Sequence, residues 1–254
     1  MTFLIRKVKT FFRIIRTEGI SGLITHLRQK YPSIFPSPKY RICTSSEHDK
    51  WLLAQKHELD FHCRSKFRQS GSFATSNAEM FRNFGFKASD YEGEVVLDLG
   101  AGSKLRSNFF KEAIIVALEP LADKFRNEID WCDLESAWKV FSVPAEHSVE
   151  ELHGKISLII SINVLDHCED LSPILDNIVS YLKEDGVAFL SFDSHDFPEP
   201  CHPLVLNDTI CSDLFKKHGL NIVKKTQGLG ERSGYSGDSQ ALNYWCKLST
   251  EGHI

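Results

Sequence analysis

The chain has 254 residues, 42% of them hydrophobic and 25% charged, a composition that suits one large domain, or one domain plus a small appendage, without disulfide staples. Its net charge of −4 divides unevenly: residues 1–30 carry seven basic side chains and one acid, for +6, and the remainder is −10. An acidic body argues against nucleic-acid binding as the main task, the absence of an eighteen-residue apolar run argues against a spanning helix, and seven cysteines with no CxxC pair argue against a secreted disulfide framework or a zinc knuckle and for a reducing interior.

In chain order, the first element is an amphipathic helix over residues 1–19. Leu4, Ile5, Val8, Phe11, Phe12 and Ile15 share one face, Arg6, Lys9, Arg13 and Arg16 the other, and Gly19 stops it. It either packs on the main domain with a solvated basic face or lies on an anionic membrane surface. Its recurrent charges do not suit a signal peptide. Residues 31–42 carry three prolines and read as a linker. A helix over 47–69, with Trp51, Leu52, Gln55, Leu59 and His62 roughly on one side, and another over 76–85 form a lid over the remainder of the chain. The expected division is therefore an extension over 1–90 and a binding domain over 91–254.

From residue 94 short apolar runs alternate with helical stretches. Strands are expected at 95–99, 114–119, 139–146, 156–163 and 186–193, with helices over 121–128 and 171–184 between them. In the second helix Leu171, Ile174, Leu175, Ile178, Tyr181 and Leu182 recur at three and four, and Gly186 reads as its stop. This alternation means βαβ units and a parallel sheet buried on both faces. A helix near 207–218, ended by Gly219, precedes two last strands, 220–226 and 241–249, joined by a Gly/Ser-rich loop and hence antiparallel. The fold class is α/β: a seven-stranded, mostly parallel Rossmann-like sheet with an antiparallel last strand and an N-terminal helical extension. Trp131, Trp138 and the Tyr244–Trp245 pair read as core or interface, and the cysteines as small buried apolar residues.

In such a sheet, ligands sit beyond the carboxyl ends of the strands. Asp98, Gly100 and Gly102 end the first strand, Glu119 ends the second 21 residues after Asp98, and Glu146 ends the third. The bare glycine turn lets a backbone approach a ligand, and Glu119 is placed to accept ribose hydroxyls. Leu105 stands where a dinucleotide fingerprint needs its third glycine, and Asp98 would repel a phosphate. The pattern favours a cationic nucleoside without phosphate, namely S-adenosylmethionine.

On these residues the chain resembles the class I S-adenosylmethionine-dependent methyltransferases, from about Glu94 to Ser249. Asp98–Gly102 matches the first motif, Glu119 the acidic residue after the second strand, Ala145–Glu146 the segment flanking adenine, and Ser161–His167 the fourth-strand motif. The resemblance further implies a seventh strand inserted between the fifth and sixth. It assigns Gly100, Ala101 and Gly102 to the methionine moiety and Asp98 to the loop or the amino group. Glu119, with Pro120 beside it, goes to the ribose, Ala145 and Glu146 to adenine, and Ser161 and Asn163 to the sulfonium end.

Methyl transfer to a hydroxyl needs an aligned acceptor and a base. Asp166 and His167 after the fourth strand, or Asp193 and His195 after the fifth, are the candidates, the carboxylate orienting the imidazole. An ion site of Asp193, His195 and His202 is the alternative for that loop and would favour magnesium; the expected site requires no metal. No NPPY-like string marks a nitrogen acceptor. The segments 142–147, 161–168, 181–196 and 201–204 resemble methyltransferase-like proteins of bacterial surface-polysaccharide clusters. The expectation is O-methylation of a sugar or sugar-containing intermediate in the cytoplasm, with peripheral membrane contact through residues 1–19. The alternatives are a lipid or quinone methyltransferase and a non-catalytic interaction module.

Overall fold

The computed structural model describes residues 47–194, 202, 204–227 and 241–249. The expectations for residues 1–42, and for His195, lie outside them. The described residues belong to one compact unit, Ser46–Ile254, and no helix among them is long and apolar enough to cross a membrane.

Seven strands, β1 (Val95–Leu99), β2 (Ile114–Leu118), β3 (Lys139–Phe141), β4 (Ile156–Ile162), β5 (Leu182–Asp193), β6 (Leu220–Gln227) and β7 (Ala241–Leu248), form one sheet in the order β3-β2-β1-β4-β5-β7-β6. β1 to β5 run parallel, and β7 is antiparallel to both β5 and β6. The expected insertion of the last strand is thus present. Alternation along the strands divides the core in two. Leu97, Leu99 and Ile159 pack on one face with Ile174 and Leu175 of α5 (Leu171–Tyr181) and Phe215 of α6 (Asp208–Lys217). Val96, Leu158, Ile160 and Phe189 pack on the other with Phe81 of α3 (Ser72–Asn83) and Phe125 of α4 (Ala122–Glu128). Adjacent Tyr244 and Trp245 on β7 go to opposite faces, as period two requires.

Several boundaries move. The expected helix over 47–69 is two, α1 (Glu47–Arg64) and α2 (Lys66–Gln69), because Ser65 caps α2 by accepting from Arg68 N–H. α5 ends at Tyr181, and Leu182 already pairs with Ile156. Gly186 is therefore no helix stop. A Cβ there would stand 2.7 Å from the Ile156 carbonyl oxygen, so the glycine admits a close strand approach. The third strand stops at Phe141, since Pro144 and the turn that His147 N–H closes on its carbonyl break the ladder. Trp138 is not core but 70% exposed, whereas Tyr244 and Trp245 are buried. Cys168, Cys211 and Cys246 are buried as expected, but Cys63 is exposed.

Candidate functional site

Parallel strands present their carboxyl ends on one edge, and a cavity of about 350 Å³ opens there. That volume lies within the range of small-molecule sites. Gly100, Ala101 and Gly102, Glu119 and Pro120, Ala145 and Glu146, Asn163, His167 and Asp193 all line it. Asp98, Ser161 and Asp166 do not.

The glycine turn is held by backbone bonds. Gly100 N–H donates to the Leu118 carbonyl at 2.7 Å, and Gly100 and Gly102 take φ of +71° and +65°. Side chains are excluded for two reasons: the backbone is left-handed, and the space is taken. A Cβ on Gly100 would lie 2.4 Å from Val164, and one on Gly102 would lie 2.5 Å from the His62 ring.

Asp98 is 4% exposed and accepts from the Ser107 N–H at 3.0 Å and the Ser107 hydroxyl at 2.8 Å. Burial raises its pKa, opposed by those bonds. It ties the loop from below rather than facing the cavity. Glu119 accepts from Leu121 N–H through Oε1 and from Gly102 N–H through Oε2, both at 2.9 Å. Burial pushes its carboxyl up to about 7, against the pull of those two N–H groups. Each carboxylate oxygen keeps a second lone pair, so both can still accept from a ligand. Glu146 accepts from Glu169 N–H at 2.9 Å, and Asn177 donates to the Ala145 carbonyl at 2.9 Å, which fixes this stretch after β3.

The opposite wall comes from α1, which the sequence marked only as a lid. Trp51, Gln55, Glu58 and His62, spaced four, three and four apart, line the cavity. Leu52, assigned to the same face, is instead 49% exposed. His62 is 3% exposed, stacks on Phe125 at 4.6 Å and sits over Gly102. Its Nδ1 accepts from Ser103 N–H at 3.1 Å, which leaves the ring proton of the neutral form on Nε2, 3.6 Å from Glu58. Burial lowers its pKa to about 4. Glu58 also stands 3.3 Å from His167 Nδ1. Burial raises the Glu58 carboxyl, but the His62 bond and the charges of His167 and Arg68 outweigh this and hold it below the usual range.

The far end gathers groups from two connections. Asp166 and His167 lie in the single 3-10 turn after β4. Asp166 is fully buried, with His167 Nε2 at 3.9 Å and His202 Nε2 at 3.7 Å. Asn163, at φ +61°, places its Nδ2 3.2 Å from His167 Nε2. The described residues thus bring His202 to Asp166 and His167, with Asp193 on the same cavity.

This lining fits a zwitterion whose positive centre lacks phosphate. Four carboxylates (Glu58, Glu119, Glu146 and Asp193) ring the cavity, the glycine cradle admits main-chain contact, and Arg68 and Arg106 are present for a carboxylate.

A family described as a methyltransferase domain matches residues 77–225. Among solved structures, the chain is similar to a Burkholderia thailandensis 1,6-didemethyltoxoflavin-N1-methyltransferase with bound 1,6-didemethyltoxoflavin and S-adenosylhomocysteine (TM-score 0.55, 13% identity, 81% of this chain and 91% of that one). It is similar as well to a Leishmania major S-adenosylmethionine-dependent methyltransferase (0.55, 18%, 77% and 83%) and to one from Clostridium acetobutylicum (0.51, 13%, 69% and 92%). No curated protein matches the chain in sequence.

Proposed function

The chain belongs to the methyltransferase-domain family as a class I S-adenosylmethionine-dependent enzyme, and on that premise we propose that it methylates an oxygen of a sugar or sugar-containing intermediate of surface polysaccharide. S-adenosylmethionine supplies a methyl carbon already bonded to a good leaving group, so the protein has to align the acceptor and dispose of one proton.

In this reading the main chain of Gly100–Gly102 holds the methionine end, Glu119 accepts the ribose hydroxyls, and Ala145 and Glu146 flank the adenine. Asp98 serves indirectly, by fixing the turn through Ser107. Asn163, whose N–H donates to the Ser191 carbonyl at 2.7 Å, faces the cavity beside the sulfonium end, and Ser161 lies buried behind it in β4. Within the extension over 1–90, α1 acts as lid and wall by supplying Glu58 and His62, while 91–254 binds the donor.

The carrying observation is the acceptor end: His167 and Asp193 line it, with Asp166 behind and His202 alongside. Such a set matches an acceptor that offers hydroxyls and must lose a proton. His167 with Asp166, or Asp193 with His195, takes it. A quinone or lipid acceptor would draw on residues 1–19 to reach the membrane face of the cytoplasm.

The test is transfer of labelled methyl from S-adenosylmethionine to a panel of nucleotide sugars, lipid-linked sugars, quinones and phospholipids, beside calorimetric titration with S-adenosylhomocysteine. Label in a sugar oxygen supports the reading. Label in a quinone or phospholipid overturns the acceptor assignment. No binding of S-adenosylhomocysteine overturns the enzyme assignment and leaves an interaction module.

A further inference from the structure

We infer that Asp166, His167 and His202 form a binding site for one first-row transition-metal dication, of the zinc type, in the wall of the acceptor end. Two imidazoles and a carboxylate each offer a donor atom, and these atoms all lie within 4.8 Å of one another. His167 Nε2 and His202 Nε2 stand 3.9 and 3.7 Å from different oxygens of the same Asp166 carboxylate. These separations are longer than hydrogen bonds and a few tenths of an ångström wider than the roughly 3.3–3.6 Å between two tetrahedral ligands of one ion at about 2.0–2.2 Å. The two rings are 4.5 Å apart and inclined edge to face, so they do not stack on one another.

The surroundings carry the same reading. A ligating histidine usually donates its other ring nitrogen to a carboxylate, and Glu58 stands 3.3 Å from His167 Nδ1, on the side away from Asp166. Glu58 comes from α1, a separate segment. Asn163 Oδ1 is buried and makes no hydrogen bond, while its amide nitrogen faces His167 Nε2. Turning that amide by 180° brings an acceptor oxygen to the same centre as a fourth ligand. His167 and His202 line the cavity, so a further position faces the acceptor. Imidazole-rich donors select zinc, iron or cobalt over magnesium, which wants oxygens. The ion differs in this from the magnesium expected of Asp193, His195 and His202.

The function assigned to the ion, but not its binding, rests on the methyl-transfer reading: it would take an acceptor oxygen as a ligand, leaving Asp193 to receive the proton. The full chain, stripped with a chelator and dialysed, is titrated with Co²⁺ while visible absorption reports the coordination, and Zn²⁺ then displaces it. One ion per chain is expected. His202→Ala should weaken binding by tenfold or more, on the order of what supporting groups alone contribute, and Asp166→Asn by more. His153→Ala, an exposed histidine elsewhere, should leave it unchanged. If Asp166→Asn does not fold, His202→Ala decides, its fold checked by circular dichroism. Less than one ion per chain, equal affinity in wild type and His202→Ala, or preference for Mg²⁺ overturns the site. Titration of the metal-free protein with S-adenosylhomocysteine reports separately on the methyltransferase reading.

Discussion

The two ends of the cavity are built in different ways. At the glycine-turn end, assigned above to the donor, the carboxylates and the strand-end carbonyl bond between side chain and backbone: Glu119 to Gly102 and Leu121 N–H, Asp98 to Ser107 N–H, the Ala145 carbonyl to the Asn177 amide. At the acceptor end the contacts run from side chain to side chain between segments distant in sequence: Glu58 to His167, His202 to Asp166. Backbone anchoring follows from strand register and tolerates little change. Side-chain networks can be rewritten without disturbing the sheet, as suits the part of a fold that chooses its substrate.

The contrast is broken most severely at the glycine turn. Gly102→Ala places a methyl 2.5 Å from the His62 ring at φ +65°. The left-handed backbone alone costs about 1–2 kcal/mol, and the clash must displace the buried His62 ring as well. Gly154→Ala is the matched control, because φ there is +64° with nothing within 4 Å of the new atom. Thermal melts should show a moderate loss for Gly154→Ala. Calorimetry should show S-adenosylhomocysteine binding abolished only in Gly102→Ala. Equal effects would mean that strain alone acts and that His62 does not cover the turn.

At the other end the expected pattern is reversed. Asp193→Asn should lower kcat by about 10²–10⁴-fold, the usual worth of a positioned proton-transfer group, with S-adenosylhomocysteine affinity near that of wild type. A variant that loses both in proportion would show that the two ends are a single unit.

The same contrast decides what could be read from the sequence. Asp98, the glycines and Glu119 were legible because a buried parallel strand announces itself as an apolar run and its terminus fixes where the next side chain points. The antiparallel pairing of β6 with β7 followed from the absence of a helical pattern between residues 220 and 249, whereas the place of β7 between β5 and β6 was implied only by the family resemblance. Glu58 was not legible: a glutamate on a helix with mixed faces reads as solvated. The available signal was the spacing of Trp51, Gln55 and His62, which marks the inward face but says nothing of a carboxylate one position from Leu59. The approach of His202 to Asp166 depends on how the chain returns after β5, which no periodicity encodes. Gly186 misled because a glycine after an amphipathic helix ordinarily stops it, whereas here a strand carbonyl demanded it.

His62 makes the lid sensitive to acid. Its folded pKa of about 4 lies below the unfolded value near 6.5, so the unfolded chain binds more protons between those values. The stability this neutral ring represents is complete above about pH 6.5 and is lost as pH falls toward 4, on the order of 3 kcal/mol in all. Denaturant unfolding at pH 7 and pH 4.5 should show a steep loss in wild type and a shallower one in His62→Ala, which starts from a lower value. Parallel slopes would place the acid sensitivity elsewhere.

Glu119 works in the opposite sense and on ligand rather than lid. Its carboxyl titrates near 7 when folded and near 4.5 when unfolded, so the folded chain binds the extra proton, and the free protein loses stability as pH rises from 4.5 to 7. A ligand whose hydroxyls donate to that carboxylate needs it ionised. Affinity for S-adenosylhomocysteine should therefore rise as pH goes from 6 to 8, by up to about tenfold for one such proton. Glu119→Gln should bind more weakly and show no such rise, because its amide also brings a donor against the Gly102 or Leu121 N–H. A pH-independent affinity in wild type would mean that Glu119 is spent on the backbone and that the ribose is held by other groups, which would remove the main functional distinction between the donor end and the loop that merely supports it.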